Sequence, residues 1–153
     1  APAIRRLARS GLQVNLAISL HAASDDVRSR IMPINRRYPL AELLPACRTF
    51  VQETGRRIAF EYILIEGLNS LPTHARQLAA LVQGMTCMVN LIPMNPVAGS
   101  SFAAPPRETV VAFQAILDAA GIVATVREEK GQDIQAACGQ LRARAAAPAA
   151  LAL

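Results

Sequence analysis

Hydrophobic and polar residues alternate from Gln13 to Leu20. Val14, Leu16, Ile18 and Leu20 fall on one side, Asn15, Ala17 and Ser19 on the other, and the alternation runs on to His21. A period of two is a strand. Ser24 stands where a helix N-cap would, with Asp25 and Asp26 in the first turn, where the helix dipole favours anions. Leu43, Leu44, Cys47, Phe50 and Val51 then follow helical spacing up to Gly55, a typical residue for ending a helix. Ile58 to Ile65 predicts a second strand, and Leu78, Leu81, Val82 and Met85 form the stripe of another helix. Met88 to Ile92 predicts a third strand, and Pro93 and Pro96 stiffen the loop around Met94 and Asn95. A helix carrying Val110, Phe113, Leu117 and Ala120 closes at Gly121, and Ile122 to Arg127 predicts a fourth strand. A last regular piece starts near Asp133 and runs into an Ala-rich tail without pattern.

Alternating strands and helices imply right-handed crossovers and a parallel sheet. The strands pair an apolar face with one carrying Asn15, Ser19, Glu61, Asn90, Thr125 and Arg127. Helices would cover the apolar face, and the polar one would point into a ligand-holding lumen, which favours a barrel over a doubly wound sheet. Four strands cannot close such a barrel, so the chain reads as part of something. The expected fold is α/β: about four parallel strands with flanking helices, one part of a (βα) barrel. Residues 1–141 form that unit, and 142–153 are a tail expected to be disordered.

Just over half of the 153 residues are hydrophobic and 18% are charged, a globular composition. No run of about 18 uncharged apolar residues occurs and no secretory leader is visible, so neither a membrane partner nor secretion is expected, and a cytoplasmic setting is. The net charge is +5, unevenly spread. Residues 1–57 hold ten arginines against four carboxylates, a balance of +6, and the remainder balances at −1. Arg28, Arg30, Arg36, Arg37, Arg56 and Arg57 are therefore candidates for phosphate contacts, with a solvated helix face as the plain alternative. The three cysteines, Cys47, Cys87 and Cys138, are odd in number and widely spaced. They make neither a disulfide framework nor a metal motif, and no metal ligand is expected within the chain.

In parallel α/β folds, ligands sit beyond the carboxyl ends of the strands. Here those ends carry Ser19-Leu20-His21, Glu66 to Asn69, Pro93 to Asn95 and Arg127 to Gly131. The stretches Asn15 to Asp25, Met32 to Asn35, Glu61-Tyr62, Asn90 to Pro96 and Asp133 to Leu141 together resemble the RlmN/Cfr family of radical S-adenosylmethionine (SAM) RNA methyltransferases. The likeness runs from about Ile4 to Leu141, in the family's order and spacing. The family's C-x-x-x-C-x-x-C cluster motif is not in this chain, so the resemblance is to the C-terminal portion of a TIM-type radical SAM barrel.

That resemblance implies methylation of C2 of adenosine in 23S rRNA and tRNA, with SAM and a [4Fe-4S] cluster whose ligands lie upstream. It also implies an electron donor for the cluster and a monomeric full-length protein. The adenine carbon is electron-poor, so the family first moves a methyl group onto a cysteine and then delivers it by radical addition. Cys138 matches the methyl-carrying cysteine, and Ser19, Leu20, His21 and Asn95 match SAM-contacting positions. Without the resemblance Cys138 would read as a small packed thiol beside Ala136 and Ala137. The portion alone is expected to be inactive. A non-catalytic SAM- or RNA-binding remnant is the alternative reading.

Overall fold

The computed structural model describes residues 1–95 and 102–127. A helix, α1 (Pro2–Ala8), precedes the first strand, β1 (Leu16–Ser19). A short helix α2 (Asp25–Ile31) and a 3-10 turn (Pro33–Arg36) lead into the long α3 (Leu40–Thr54). Then come β2 (Ile58–Leu64), α4 (Pro72–Val82), β3 (Cys87–Pro93), α5 (Arg107–Ala119) and β4 (Val123–Val126).

The strands form one parallel sheet in the order β1-β2-β3-β4. Each new strand adds beside the last and the order never reverses, which is the progression of a barrel; a doubly wound sheet reverses at a switch point. One apolar cluster joins Ile58, Phe60, Tyr62 and Leu64 of β2 and Val89 and Leu91 of β3 to Leu43, Cys47 and Phe50 of α3, Leu78 of α4 and Phe113 of α5. All the helices that contribute to it therefore cover the same face. The opposite face carries the residues of the other parity, and these are half-buried or exposed.

Two local expectations shift. β1 is shorter than the alternation from Gln13, because its pairing begins at Leu16 opposite Ile58, the first residue of β2, and Gln13 to Asn15 have no strand beside them. Ser24 occupies the N-cap position of α2 but makes no capping bond with its side chain. The Asp25 carboxylate instead accepts the Leu40 N–H at 2.9 Å, which ties the start of α2 to the start of α3. Gly55 ends α3 as expected, at φ 65°, a conformation that is strained for residues with a Cβ. The tail and Cys138 lie outside the described residues.

Candidate functional site

On the open face the side chains fall in layers set by strand register. Ser19 lies opposite Glu61, Glu61 opposite Asn90, and Asn90 opposite Thr125, so one polar row crosses all four strands. Thr125 donates its hydroxyl to Asn90 Oδ1 at 2.7 Å, and Asn90 Nδ2 donates to Glu61 Oε1 at 2.8 Å. Donation therefore runs one way along the row and ends on a carboxylate that keeps acceptor capacity to spare. Two residues earlier, Ala17, Ala59, Met88 and Val123 make an apolar layer in the same register. Two residues later on the same face Ile63 lies opposite Ile92, so a ligand entering from the carboxyl ends of the strands would pass this apolar pair, reach the polar row and be stopped by the apolar layer beneath it.

The carboxyl end of β1 is a sharp corner. His21 is the one non-glycine residue with positive φ among the described residues, at 60°. Such a conformation costs on the order of 1 kcal/mol or more and persists only where surroundings impose it. The surroundings here are two buried side chains. Arg28, 4% exposed, donates through Nε to the Leu20 carbonyl at 2.9 Å and through a terminal nitrogen to the Ser19 carbonyl at 3.1 Å. Its other terminal nitrogen reaches Asn35 Oδ1 and the Tyr38 carbonyl. Asn69, fully buried, donates to the His21 and Ile63 carbonyls at 2.8 and 2.6 Å and accepts the Ile65 N–H at 2.7 Å.

His21 itself takes a place in the ladder. Its Nδ1 accepts the Ile63 N–H at 3.1 Å. Its pKa is lowered, first by burial and then by the Arg28 charge, against smaller opposing effects of Glu61. The imidazole is thus neutral near pH 7.

Of the sequence-predicted residues, Ser19 is exposed at the end of β1, and His21 follows half-buried. Leu20 between them is wholly buried; its side chain belongs to the core, its N–H bonds the Glu61 carbonyl and its own carbonyl is held by Arg28. Asn95 lies half-buried just past β3, on a segment fastened by the Met94 N–H to the Leu64 carbonyl at 2.9 Å. Ser19, His21 and Asn95 therefore come to one rim.

The arginine candidates divide. Arg28 is removed from the phosphate-contacting set, since its guanidinium is consumed by four internal hydrogen bonds. Arg56 and Arg57 precede β2, at the opposite end of the sheet, and Arg56 donates to Asn15 Oδ1. They line a hollow of about 560 Å³ with Asn15, Leu16, Ala59 and Met88, away from the rim. Arg30, Arg36 and Arg37 stay exposed on the connection between β1 and α3, at the rim end. The two described thiols are unsuited to nucleophilic work. Burial pushes Cys47 up to about 11 and raises Cys87 as well, so both remain protonated at neutral pH.

No family model matches the chain. Two curated relatives, each named "Probable dual-specificity RNA methyltransferase RlmN", come from Moorella thermoacetica and Symbiobacterium thermophilum. They are 53% and 54% identical over 141 and 145 residues. Among solved structures, a radical SAM methyltransferase from Sphaerobacter thermophilus matches with a TM-score of 0.87 and 55% identity, over 91% of this chain and 41% of that one. The chain is RlmN-like. The RlmN-like sequence spans about two fifths of the curated relatives' length: the alignments take in 92% and 94% of it but 40% and 39% of them. A domain of a pyruvate-formate lyase-activating enzyme from Bacteroides vulgatus matches with a TM-score of 0.65 over 83% of this chain and 74% of its own length. At 20% identity it shows the fold alone.

Proposed function

We propose that this chain forms the C-terminal part of the barrel of a radical SAM methyltransferase acting on C2 of adenosine in 23S rRNA and tRNA. Residues 1–141 would form the barrel portion and 142–153 a tail. The observation that carries this reading is the rim, where Ser19, the first residue of the polar row, lies at the same end of the sheet as His21 and Asn95, on a chain 55% identical to a radical SAM methyltransferase.

The residues fit a nucleoside ligand such as SAM. Ser19 and Asn90 offer both donors and acceptors, Glu61 offers carboxylate lone pairs, and the apolar layer below limits depth. Ser19, Leu20, His21 and Asn95 would hold the ligand, Leu20 by placing its neighbours. When bound, SAM supplies the methyl group. Cys138, outside the described residues, would carry that methyl as a thioether before it passes to the adenine ring. Its thiol must lose a proton first, because the thiolate is the nucleophile. Arg30, Arg36 and Arg37 would meet RNA phosphates at the rim. Among the described residues no group of three His, Cys, Asp or Glu side chains could hold a metal ion. A [4Fe-4S] cluster does not fit them. The electron donor, a cytoplasmic setting and a monomeric whole protein belong to the same proposal. Among the described residues no helix is long and apolar enough to cross a membrane.

The test is a graft. The matching segment of the Moorella thermoacetica relative is replaced by this chain, and RNA nucleosides from cells lacking their own enzyme are measured by mass spectrometry. The expected result is 2-methyladenosine in the graft, lost in Cys138→Ser. Methylation at C8 instead would correct the position. SAM binding without any product, in a folded graft, would favour the non-catalytic remnant.

A further inference from the structure

His21 at the corner is a side chain whose chemistry the tautomer decides. An imidazole that accepts at Nδ1 must carry its proton on Nε2 when neutral. We infer that His21 is locked in its Nε2–H form by the Ile63 amide, that Asn69 and Arg28 are the residues that position it, and that it serves a rim ligand as a hydrogen-bond donor and not as a base.

The strand ladder supplies the argument. Glu61 turns its carbonyl toward β1 and there accepts both the Leu20 N–H at 2.9 Å and the His21 N–H at 3.2 Å. Ile63, two residues on, turns its N–H the same way, but β1 has ended at Ser19 and the chain has bent at His21. No strand carbonyl is there to receive it. The ring nitrogen fills that place at 3.1 Å. A proton on Nδ1 would confront the Ile63 N–H with a second donor and leave a backbone group unsatisfied, a cost of about 1–3 kcal/mol. The Glu61 carbonyl is the other acceptor within reach, and its two lone pairs are already taken by backbone donors.

The corner cannot relax because both flanks are held. Asn69 bonds the His21 carbonyl and the Ile63 carbonyl with one amide group, so the residue that bends and the residue that donates share one clamp. The Asn69 carbonyl in turn receives the Tyr62 hydroxyl at 3.0 Å. Arg28 grips the two residues before the bend. The charged groups bearing on the ring are Arg28 from α2 and Glu61 from β2. The Glu61 backbone also bears on the ring, and a proton on Nε2 suits a ligand acceptor such as a carboxylate, hydroxyl or ring nitrogen. Assigning that acceptor to SAM rests on the proposed function; the tautomer does not.

The test uses the whole chain labelled with ¹⁵N, without ligand. Long-range ¹H–¹⁵N correlation at pH 7.5 should show His21 Nδ1 as pyridine-like and Nε2 as protonated, with a scalar coupling across the hydrogen bond from the Ile63 amide nitrogen to Nδ1. A protonated Nδ1, or a fast mixture of tautomers, overturns the inference whether or not the methyltransferase reading stands. In Asn69→Ala the coupling should vanish and the ring shifts move toward a mixture, while Arg28→Lys should weaken it. An unchanged His21 spectrum in folded Asn69→Ala removes Asn69 from the positioning role. If that variant does not fold, the wild-type coupling still decides. Graft failure with the tautomer intact would count against the functional reading alone.

Discussion

The two faces of this sheet are built from alternate residues of the same strands, yet they obey different rules. On the helix-covered face Ile58, Phe60, Tyr62 and Leu64 are wholly buried, and a ring pair, Tyr62 and Phe113, packs at 5.3 Å between centroids. The energetics there are those of apolar area removed from water and close packing. On the open face Ala59, Glu61 and Ile63 are only half-buried, and their neighbours are selected for hydrogen bonding at defined register. One face makes the fold stable, and the other spends little of that stability on a row of polar groups that water can still reach. The corner at His21 joins the two: its clamps, Arg28 and Asn69, are buried with the core, and its effect is on the rim.

The comparison is tested most severely by neighbouring residues on opposite faces. Phe60→Ala should destabilise the chain by about 3–5 kcal/mol, through lost transfer energy and a residual cavity, read by urea denaturation. A loss under 1 kcal/mol would mean the helices do not cover that face as described. Arg28→Met keeps much of the volume but removes every donor to the Ser19 and Leu20 carbonyls and to Asn35. The expected loss is about 1–3 kcal/mol, from acceptors left buried without partners. Hydrogen exchange should increase at Leu20 and His21, whose amides bond Glu61, before it increases in α4 or α5. Uniform change across the sheet would show that Arg28 is a general core residue and not a clamp.

The difference between the faces also explains what the sequence could disclose. Period-two alternation in Leu16 to Leu20 and Ile58 to Leu64, and helical stripes such as Val110, Phe113 and Leu117, follow from burial, and burial is written locally. The strand faces were legible for that reason, and the missing closure of the barrel followed from counting strands. Asn69 and Arg28 were not legible as clamps. An Asn after a strand reads as a turn residue, and an Arg among other arginines reads as surface charge; only the chain's return brings Asn69 to His21, 48 positions away. The end of β1 likewise depended on where its partner begins, which no local pattern records. Ser19, His21 and Asn95 were singled out by resemblance, and the fold brings them to one end of the sheet.

Titration should separate the faces by the direction of its effect. The His21 pKa is lowered by burial and then by Arg28, and His74 is lowered by burial. The unfolded chain then binds protons more readily, so stability is complete above about 6.5 and falls as pH drops below it. Cys47, pushed up to about 11, and Cys87 behave oppositely: the unfolded thiols ionise first, and stability falls as pH rises above about 9. Melting temperature against pH should therefore be flat between these limits. His74→Gln should leave an acid-side loss in place, the part that belongs to His21; its disappearance would show that His21 is not held neutral.

The smallest stability change belongs to Glu61→Gln, and it is the most informative partner for Phe60→Ala. Glutamine keeps an oxygen for the Asn90 amide and fills the same half-open space, so the fold should change by no more than about 0.5 kcal/mol. What disappears is the charge at the end of the donation row. A ligand hydroxyl or ammonium bonded to a carboxylate gains about 1.5–3 kcal/mol, roughly twice a neutral bond, so SAM affinity in the graft should fall about tenfold. The Ala59→Ser control adds a hydroxyl in the apolar layer beneath and should change affinity less. If Glu61→Gln unfolds the chain as Phe60→Ala does, the open face is core, and the distinction between the faces is lost. If it leaves both stability and affinity untouched, the row crosses the sheet for structure alone, and the ligand reads only the rim above it.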